Sequence, residues 1–465
     1  MKAYFLLLLI VVLVCKNCFA QSIQQQVLPL DKFILLVKKY HPIAKLANIQ
    51  IDKASADFLA AKANFDTVFQ WEASNKTISG KNYYYYNNPE LTIPLPVGNV
   101  KAGLGNNGGD LLPSEISKGQ TSYLGLELPL AKGLLMDKRR AVLQQAKLFI
   151  RQSAQERFVI LNDLLFESYV AYWQWAGAYQ QYMAYSRFVE LADRRLRLVR
   201  ISFINGDRAL MDTTETFTQF QNYQLLQTEA LLKWKNAGIE LSNYLWKEDD
   251  SVYLPEYNQL PEYTLPGDDI VDKNLDELIV QSALQNPALK IYDYKLNSLE
   301  VERKLKLQNL RPYFSVKANL LTKDYNMLNK INRAFIEDNH KWGIDFKIPL
   351  FLREARGEYK RSQLEIKETN FELLYKRQQM ENKIRTYYNE YNSIQQQLKV
   401  VQNMYGNYQN LLRSEELKLA QGESSLFLVN SREMKLIEVQ QKQIELTVKY
   451  FKAKYAVEWA MGMLK

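Results

Sequence analysis

Cysteine is almost missing from this 465-residue chain: the two present, Cys15 and Cys18, both lie within the first 20 residues. That opening joins Met1-Lys2 to an apolar run over 3–14 and ends Cys18-Phe19-Ala20. The order of charged, apolar and small residues is that of a secretory signal cut after Ala20. Val14 and Asn17 are poor small-residue neighbours for lipoprotein processing at either cysteine. The exported chain, starting at Gln21, has no disulfide, no thiol nucleophile and no thiolate ligand. Histidine is equally scarce, with only His41 and His340, so a Cys/His zinc cluster is excluded and no metal site is expected. Beyond the leader there is no run near the ~18 continuous apolar residues a membrane helix needs, so a membrane is crossed by strands or not at all. Charge of one sign is not in large excess either. The net +9 falls to +7 once Lys2 and Lys16 leave with the leader, too mild to imply nucleic acid. Without a thiol, paired imidazoles or a Gly-rich phosphate loop, the chain offers no catalytic residues and no cofactor site, and it is not read as an enzyme. Intrinsic disorder is excluded by a composition that is 47% hydrophobic and 12% aromatic.

Proline is absent where its absence is informative. All 13 prolines lie outside 130–254 and 350–465. Because a proline inside a helix costs about 3 kcal/mol, these two tracts, rich in Leu, Gln, Glu, Lys and Ala, predict very long helices. Each tract is divided once, at Asn205-Gly206-Asp207 and at Gln421-Gly422-Glu423, where glycine ends one helix and the next begins. Two helical hairpins follow, with long arms over about 130–205 and 351–421 and short arms over about 208–246 and 424–464.

Upstream of the first hairpin, Phe33, Val37, Tyr40, Ala44, Ala47, Ile51, Ala54, Phe58, Ala61 and Phe65 recur in steps of four and three. This is a heptad seam of period 3.5, with a kink expected at Pro42. In the short arm, Leu210, Phe217, Phe220, Leu231, Trp234, Leu241 and Leu245 continue the period less cleanly, interrupted by Gln224, Gln227 and Gly238. Period 2 appears at 67–72, 123–128, 312–317 and 342–348, which predicts four strands. The fold class is mainly α with a small β part.

The order helix, strand, loop, strand, long helix, glycine turn, short helix occurs twice. His41-Pro42 meets Asn286-Pro287 at an offset of 245, the strand ends at Pro129 and Pro349 meet at 220, and Gly206 with Leu210 meets Gly422 with Leu426 at 216. The boundaries expected are a signal peptide over 1–20, a first repeat over 21–246, a linker over 247–271 with three prolines, and a second repeat over 272–465. The drop from 245 to 220 assigns 25 extra residues to an exposed Tyr-, Asn- and Gly-rich loop over 79–119, against 323–339 in the second half. In that loop Tyr83, Tyr84, Tyr85 and Tyr86 read as a lip, with a stacking platform as the alternative.

A long arm of about 76 residues reaches ~114 Å, too long for an ordinary globular domain. Four strands with free edges cannot lie alone in lipid, so several chains must close a barrel, and three would give 12 strands. Trp71, Tyr123, Phe314 and Trp342 would then fit membrane-interface girdles.

This arrangement resembles the TolC family of outer-membrane efflux proteins over nearly the whole mature chain. The resemblance is carried by His41-Pro42, Asn286-Pro287, Pro129, Pro349 and the two glycine turns, above all by Gln421-Gly422-Glu423-Ser424-Ser425-Leu426. It implies a homotrimer with a 12-stranded barrel in outer-membrane lipid, continued by a long α-helical barrel in the periplasm of a Gram-negative bacterium. It further implies a passive exit duct of a tripartite efflux pump or type I secretion system, coupled through a periplasmic adaptor (membrane fusion protein) to an inner-membrane transporter of RND or ABC type. The linker and N-terminal arm would form a belt around the helices. The turns at Asn205, Gly206, Asp207, Gln421, Gly422 and Glu423 would form the periplasmic tip and dock the adaptor, beyond their role as helix caps. At the 216 offset Arg200 falls on Glu416, a candidate latch for a constricted tip, and Glu415 with Glu416 are candidates for a lumenal carboxylate ring. The plain alternative for these charges is a solvated helix surface. Arg194, Arg195, Arg197 and Arg200 read as one basic helical face. The competing function is a periplasmic coiled-coil scaffold whose apparent strands are short linkers between helices.

Overall fold

The computed structural model describes residues 26–254, 259–263, 274–326, 329 and 332–464. The leader with both cysteines and parts of the linker, 255–258 and 264–271, lie outside the described residues. In chain order the elements are β1 (Gln26–Leu28), α1 (Leu30–Tyr40), α2 (Pro42–Lys62), a 3-10 turn (Ala63–Phe65), β2 (Val68–Ile78), β3 (Lys81–Pro94), β4 (Asn99–Asn107) and β5 (Gly119–Pro129). There follow α3 (Lys138–Ile204), α4 (Leu210–Ser242), β6 (Gln259–Pro261), α5 (Leu275–Gln285), α6 (Pro287–Gln308), β7 (Tyr313–Thr322), α7 (Arg333–Asp338), β8 (His340–Lys347), α8 (Arg353–Ala420) and α9 (Leu426–Met461). Among the described residues no helix is long and apolar enough to cross a membrane.

The two proline-free tracts hold the long helices expected, except that the first begins at Lys138, about eight residues later than the tract does, because 130–137 is a turn around Gly133. α3 and α8 run 67 and 68 residues, each roughly 100 Å at 1.5 Å per residue. Proline acts at both upstream positions as its missing N–H dictates: α1 ends at Tyr40 before Pro42, and α5 ends at Gln285 before Pro287. At both breaks the preceding residue caps the helix, His41 N–H donating to the Val37 carbonyl and Asn286 N–H to that of Ser282.

The chain divides into two compact units. One comprises 1–48, 158–286 and 378–465, and the other 49–157 and 287–377. The first is helical. Its core joins Tyr185, Phe188 and Ala192 of α3 to Tyr223 and Ala230 of α4 and to Leu436 and Ile437 of α9, with Tyr405, Tyr408 and Leu412 of α8 packed on it. The upstream seam is the inward stripe here, with Phe33, Val37, Ala44 and Ala47 buried. The short-arm seam is only in part the one expected. Leu210 and Phe217 are exposed and the buried heptad there is Thr216, Tyr223 and Ala230, whereas at the far end the expected Leu241 and Leu245 are fully buried. Thr216 enters the heptad because its hydroxyl bonds the Asp212 carbonyl (2.8 Å) and so buries no unpaired donor. β1 and β6 pair in parallel, and Tyr172 of α3 pins them, its hydroxyl donating to the Leu28 carbonyl (2.8 Å) and accepting from Glu262 N–H (3.0 Å). The N-terminal arm and the linker are thus held on one helix.

The second unit contains a six-stranded antiparallel sheet in the order β2-β3-β4-β5-β7-β8. Two of these strands were not expected. The segment 79–119 is not a long exposed loop: it contains β3 and β4, so the sheet has six strands instead of the four expected. Tyr83, Tyr84, Tyr85 and Tyr86 lie within β3, where Tyr84 and Tyr86 stack at 4.7 Å and Tyr85 exchanges backbone hydrogen bonds with Gly108. A continuous hydrogen-bonded sheet of this size also overturns the reading of the strands as linkers in a helical scaffold.

Candidate functional site

Side chains alternate across a strand, and residues opposite each other in an antiparallel pair share a face. The register therefore sorts the sheet residue by residue. On one face stand Phe69 and Trp71 (β2), Leu91 and Ile93 (β3), Val100 and Ala102 (β4), Leu124 and Leu126 (β5), Val316 and Ala318 (β7), and Trp342 and Ile344 (β8). On the other stand Gln70, Glu90, Lys101, Glu127, Lys317 and Asp345. Water does not explain an apolar face of this extent, six strands wide and exposed at Phe69, Trp71, Trp342 and Ile344.

The polar face carries an ordered row. Lys101 lies 3.6 Å from Glu90 and 3.8 Å from Glu127, and Lys317 lies 3.8 Å from Glu127 and 2.7 Å from Asp345. Five strands thus contribute one charge each, with alternating sign. Tyr123 donates its hydroxyl to Glu90 at the row's beginning. On the same side lies a cavity of about 530 Å³ lined in part by Gln70, Glu90, Tyr123, Asn319 and Lys341, with Glu115 and Ser117 of the β4–β5 loop on its wall.

At the hairpin ends the two turns have the same construction. Gly206 and Gly422 both sit at φ +82°, the left-handed region that glycine occupies without a Cβ penalty. Asp207 N–H reaches back to the Ser202 carbonyl (2.9 Å) and Gly206 N–H to that of Phe203 (3.0 Å). Glu423 N–H reaches Lys418 (2.9 Å) and Gly422 N–H reaches Leu419 (3.2 Å) in the same pattern. Both are Schellman closures that satisfy the last carbonyls of the long helices. Asn205 and Gln421 complete the last turns through bonds to Ile201 (3.0 Å) and Leu417 (3.2 Å).

Within one chain the two residues of the candidate latch have other partners. Arg200 lies over the ring of Phe217, 5.6 Å from its centroid, within its own hairpin. Glu416 instead meets Arg195 (3.6 Å), and Glu415 accepts from the Ser424 hydroxyl (2.5 Å) with Arg432 at 3.8 Å. Arg200 is one helical turn and a half from Arg195, so its side chain points elsewhere around α3.

Arg195 is the residue that offset matching missed. Its guanidinium grips Glu433 with two bonds of 2.8 and 3.1 Å and reaches Asn430 at 3.3 Å. Tyr223 donates to the same carboxylate (2.9 Å), and Asn430 donates to Glu215 (3.0 Å). Glu433 is 1% exposed, so one carboxylate from α9 is satisfied by α3 and α4 in a dry junction. Burial opposes the Arg195 charge, and the facing Glu433 carboxylate more than offsets it, holding the guanidinium above its ordinary range. Burial, reinforced by Glu433, likewise pushes the Tyr223 phenol well up, so it stays a donor. The sequence contained a partial signal, since Arg195 lies in the basic group already noted, but nothing singled out Glu433 among its neighbours.

No protein-family model and no curated protein matches the sequence. Solved structures do match. The outer membrane channel CmeC of Campylobacter jejuni superposes with a TM-score of 0.62 at 16% identity, over 93% of this chain and 85% of that one. The outer membrane protein VceC of Vibrio cholerae gives 0.63 at 14% identity, over 93% and 95% of the two chains. The open state of the Neisseria gonorrhoeae outer membrane channel MtrE gives 0.63 at 11% identity, over 95% and 93%. The chain has the fold of a TolC-family outer-membrane channel.

Within this TolC-type fold the four girdle candidates separate. Trp71, Phe314 and Trp342 stand on the apolar face, whereas Tyr123 stands among the charges on the opposite one. The reason is parity: Tyr123 pairs with Gly103 and neighbours Leu124, which takes the apolar side.

Proposed function

We propose that the protein is a passive exit duct of the outer membrane, a homotrimer whose sheet lies in outer-membrane lipid and whose helical hairpins extend into the periplasm. In this reading it serves a tripartite efflux pump or a type I secretion system, receiving substrate through a periplasmic adaptor from an inner-membrane transporter of RND or ABC type. The observation that carries the proposal is the division of the sheet into an apolar face and a charged one. A water-filled pore in lipid requires that division with the apolar face left uncovered, whereas a soluble protein packs such a face onto a core; here it is exposed at Phe69, Trp71, Trp342 and Ile344. Trp71, Phe314 and Trp342 are then lipid-interface residues. The two Schellman turns at Gly206 and Gly422 are the adaptor-docking tip, with Asn205, Asp207, Gln421 and Glu423 as their exposed flanks. The repeated element order supports reading 21–246 and 272–465 as two structural repeats joined by the 247–271 linker. If a latch holds the tip closed, the position for it is Arg195 with Glu416 and Glu433 rather than Arg200.

The test is fractionation followed by electrophysiology. The protein should remain with the outer membrane until detergent releases it, and the purified protein should open discrete ion conductances in a planar bilayer. Release by osmotic shock without detergent would end the proposal.

A further inference from the structure

We propose that the barrel of this protein has 18 strands, six from each of three copies, with β8 of one copy paired to β2 of the next. The inference rests on the duct reading above and goes beyond it, since the TolC-family resemblance implies four strands per chain and 12 in all.

The decisive feature is where the extra hairpin turns. β3 and β4 are joined by only four residues, Leu95 to Gly98, and this turn is at the helix end of the sheet. Its Pro94–Asn99 pair continues across to Glu127 and Lys317, the residues beside the strand ends that lead from and to helices. Arg139, at the start of α3, fixes the turn by bonding Asn99 Oδ1 (2.9 Å) and the Gly98 carbonyl (3.4 Å). β3 therefore descends the full height and β4 climbs it again. A surface excursion would have turned at the far end. β3 and β4, with 14 and 9 residues, are also long enough to cross, since a tilted membrane strand needs ~9–11. Their alternation agrees with that of their neighbours: Leu91, Ile93, Val100 and Ala102 continue the apolar face without a gap.

The free edges fit one another. β2 and β8 run antiparallel, each has one unpaired side, and unpaired backbone cannot face lipid. Closing three copies requires an even stagger per copy, so that apolar meets apolar. A stagger of about six residues gives a strand tilt of ~35° for 18 strands, within the range of membrane barrels. It places the whole of His340–Lys347 against residues 68–75, with Phe346 opposite Phe69, Ile344 opposite Trp71 and Trp342 opposite Ala73. On the lumenal side Asp345 then meets Gln70, whose own partner on β3 is Glu90, the first charge of the row. The row Glu90, Lys101, Glu127, Lys317, Asp345 thereby joins its copy in the next chain and becomes a closed ring. With ~4.8 Å between strands, 18 strands enclose a mean diameter of ~34 Å against ~23 Å for 12.

Single cysteines placed in the exported chain, which has none of its own, test this in intact outer membranes. Leu126→Cys on β5 is the reference, because β5 crosses the membrane in a barrel of either size. Leu91→Cys, Ile93→Cys and Ala102→Cys should react with a lipid-dissolved maleimide as the reference does and resist a charged aqueous one, while Thr92→Cys should react with the aqueous reagent. If the reference behaves this way but the β3 and β4 positions react only from water, the 18-strand barrel is wrong and the duct stands. A water-reactive reference would overturn the duct reading itself. Cryo-electron microscopy of the unmodified trimer in detergent gives an answer independent of any variant: 18 strands in cross-section are expected, and 12 would refute the inference.

Discussion

Two networks of paired opposite charges in this molecule serve opposite ends. The junction of Arg195, Glu433 and Tyr223 is dry: the carboxylate is 1% exposed and every partner is fixed by a helix. The row across the sheet is wet, with side chains from 23% to 51% exposed and most of its contacts at 3.6–3.8 Å. In the junction a missing partner strands a charge away from water. In the row water replaces a missing partner at little cost. The junction is therefore a structural device linking three helices, and the row acts on the field inside the sheet's polar face, where stability is not at stake.

The largest effect should come from breaking the junction on one side. Arg195→Met leaves Glu433 buried with only the Tyr223 hydroxyl, and should cost about 3–5 kcal/mol in denaturant unfolding of the detergent-purified protein. Removing both charges with Arg195→Met and Glu433→Leu should restore most of that loss, because an apolar pair of similar volume replaces the ion pair. A double variant as weak as the single one would show that the charges themselves hold the helices. In the row, Lys101→Gln with Lys317→Gln should change stability by no more than about 1 kcal/mol. The same substitutions should raise cation over anion permeability in a planar bilayer, since every charge left in the row is then negative. A large stability loss here would erase the distinction between the two networks.

How far the sequence discloses these features follows from their physics. Helix lengths, the proline breaks and the glycine turns were legible because each rests on a local backbone rule that packing does not override. β3 and β4 were obscured by composition. Asn, Gly and four tyrosines suggest a loop, and Pro89 and Pro94 argue against a strand. The period-2 signal was present in Leu91 and Ile93 and in Val100, Ala102 and Leu104, interleaved with Thr92, Lys101 and Gly103. Glycines that weaken a strand in water are tolerable where cross-strand rings fill their space, as Tyr123 does beside Gly103. The Arg195 junction was legible only on one side, in the basic group that includes Arg195, and its acidic partner was not. Which glutamate is buried depends on the rotation of three helices about their axes, and the interrupted seam of α4 did not determine that rotation. Matching Arg200 to Glu416 by offset assumed that equal height means contact, whereas contact also requires equal angle around the helix.

A smaller effect distinguishes the two proline breaks by pH. His41 is buried, its Nδ1 accepting from Ile43 N–H (3.1 Å) and its Nε2–H donating to the Asn243 carbonyl (3.2 Å). Burial lowers its pKa below the ordinary ~6.5, against the opposing pull of the Asn243 carbonyl. The unfolded chain then binds the proton more readily, so this contribution to stability is complete above pH ~6.5 and is lost as pH falls below it. The matching residue, Asn286, donates to the Ala460 carbonyl (3.3 Å) and does not titrate. Thermal unfolding from pH 7.5 to 5 should therefore flatten on its acid side in His41→Asn, and an unchanged profile would assign the acid sensitivity to other groups.

The smallest effect belongs to the residue that the sequence favoured most as a latch. Within its own chain Arg200 forms no ion pair with Glu416 and rests on Phe217, a contact worth about 0.5–1 kcal/mol at an exposed site. Arg200→Glu should accordingly leave single-channel conductance in a planar bilayer unchanged and shift stability by about that amount. Arg195→Lys offers the contrast, because an ammonium cannot make the paired bonds to Glu433 and reach Asn430 together. If Arg200→Glu widened the conductance while Arg195→Lys did not, the constriction would lie at the hairpin surface and the junction would be only a brace.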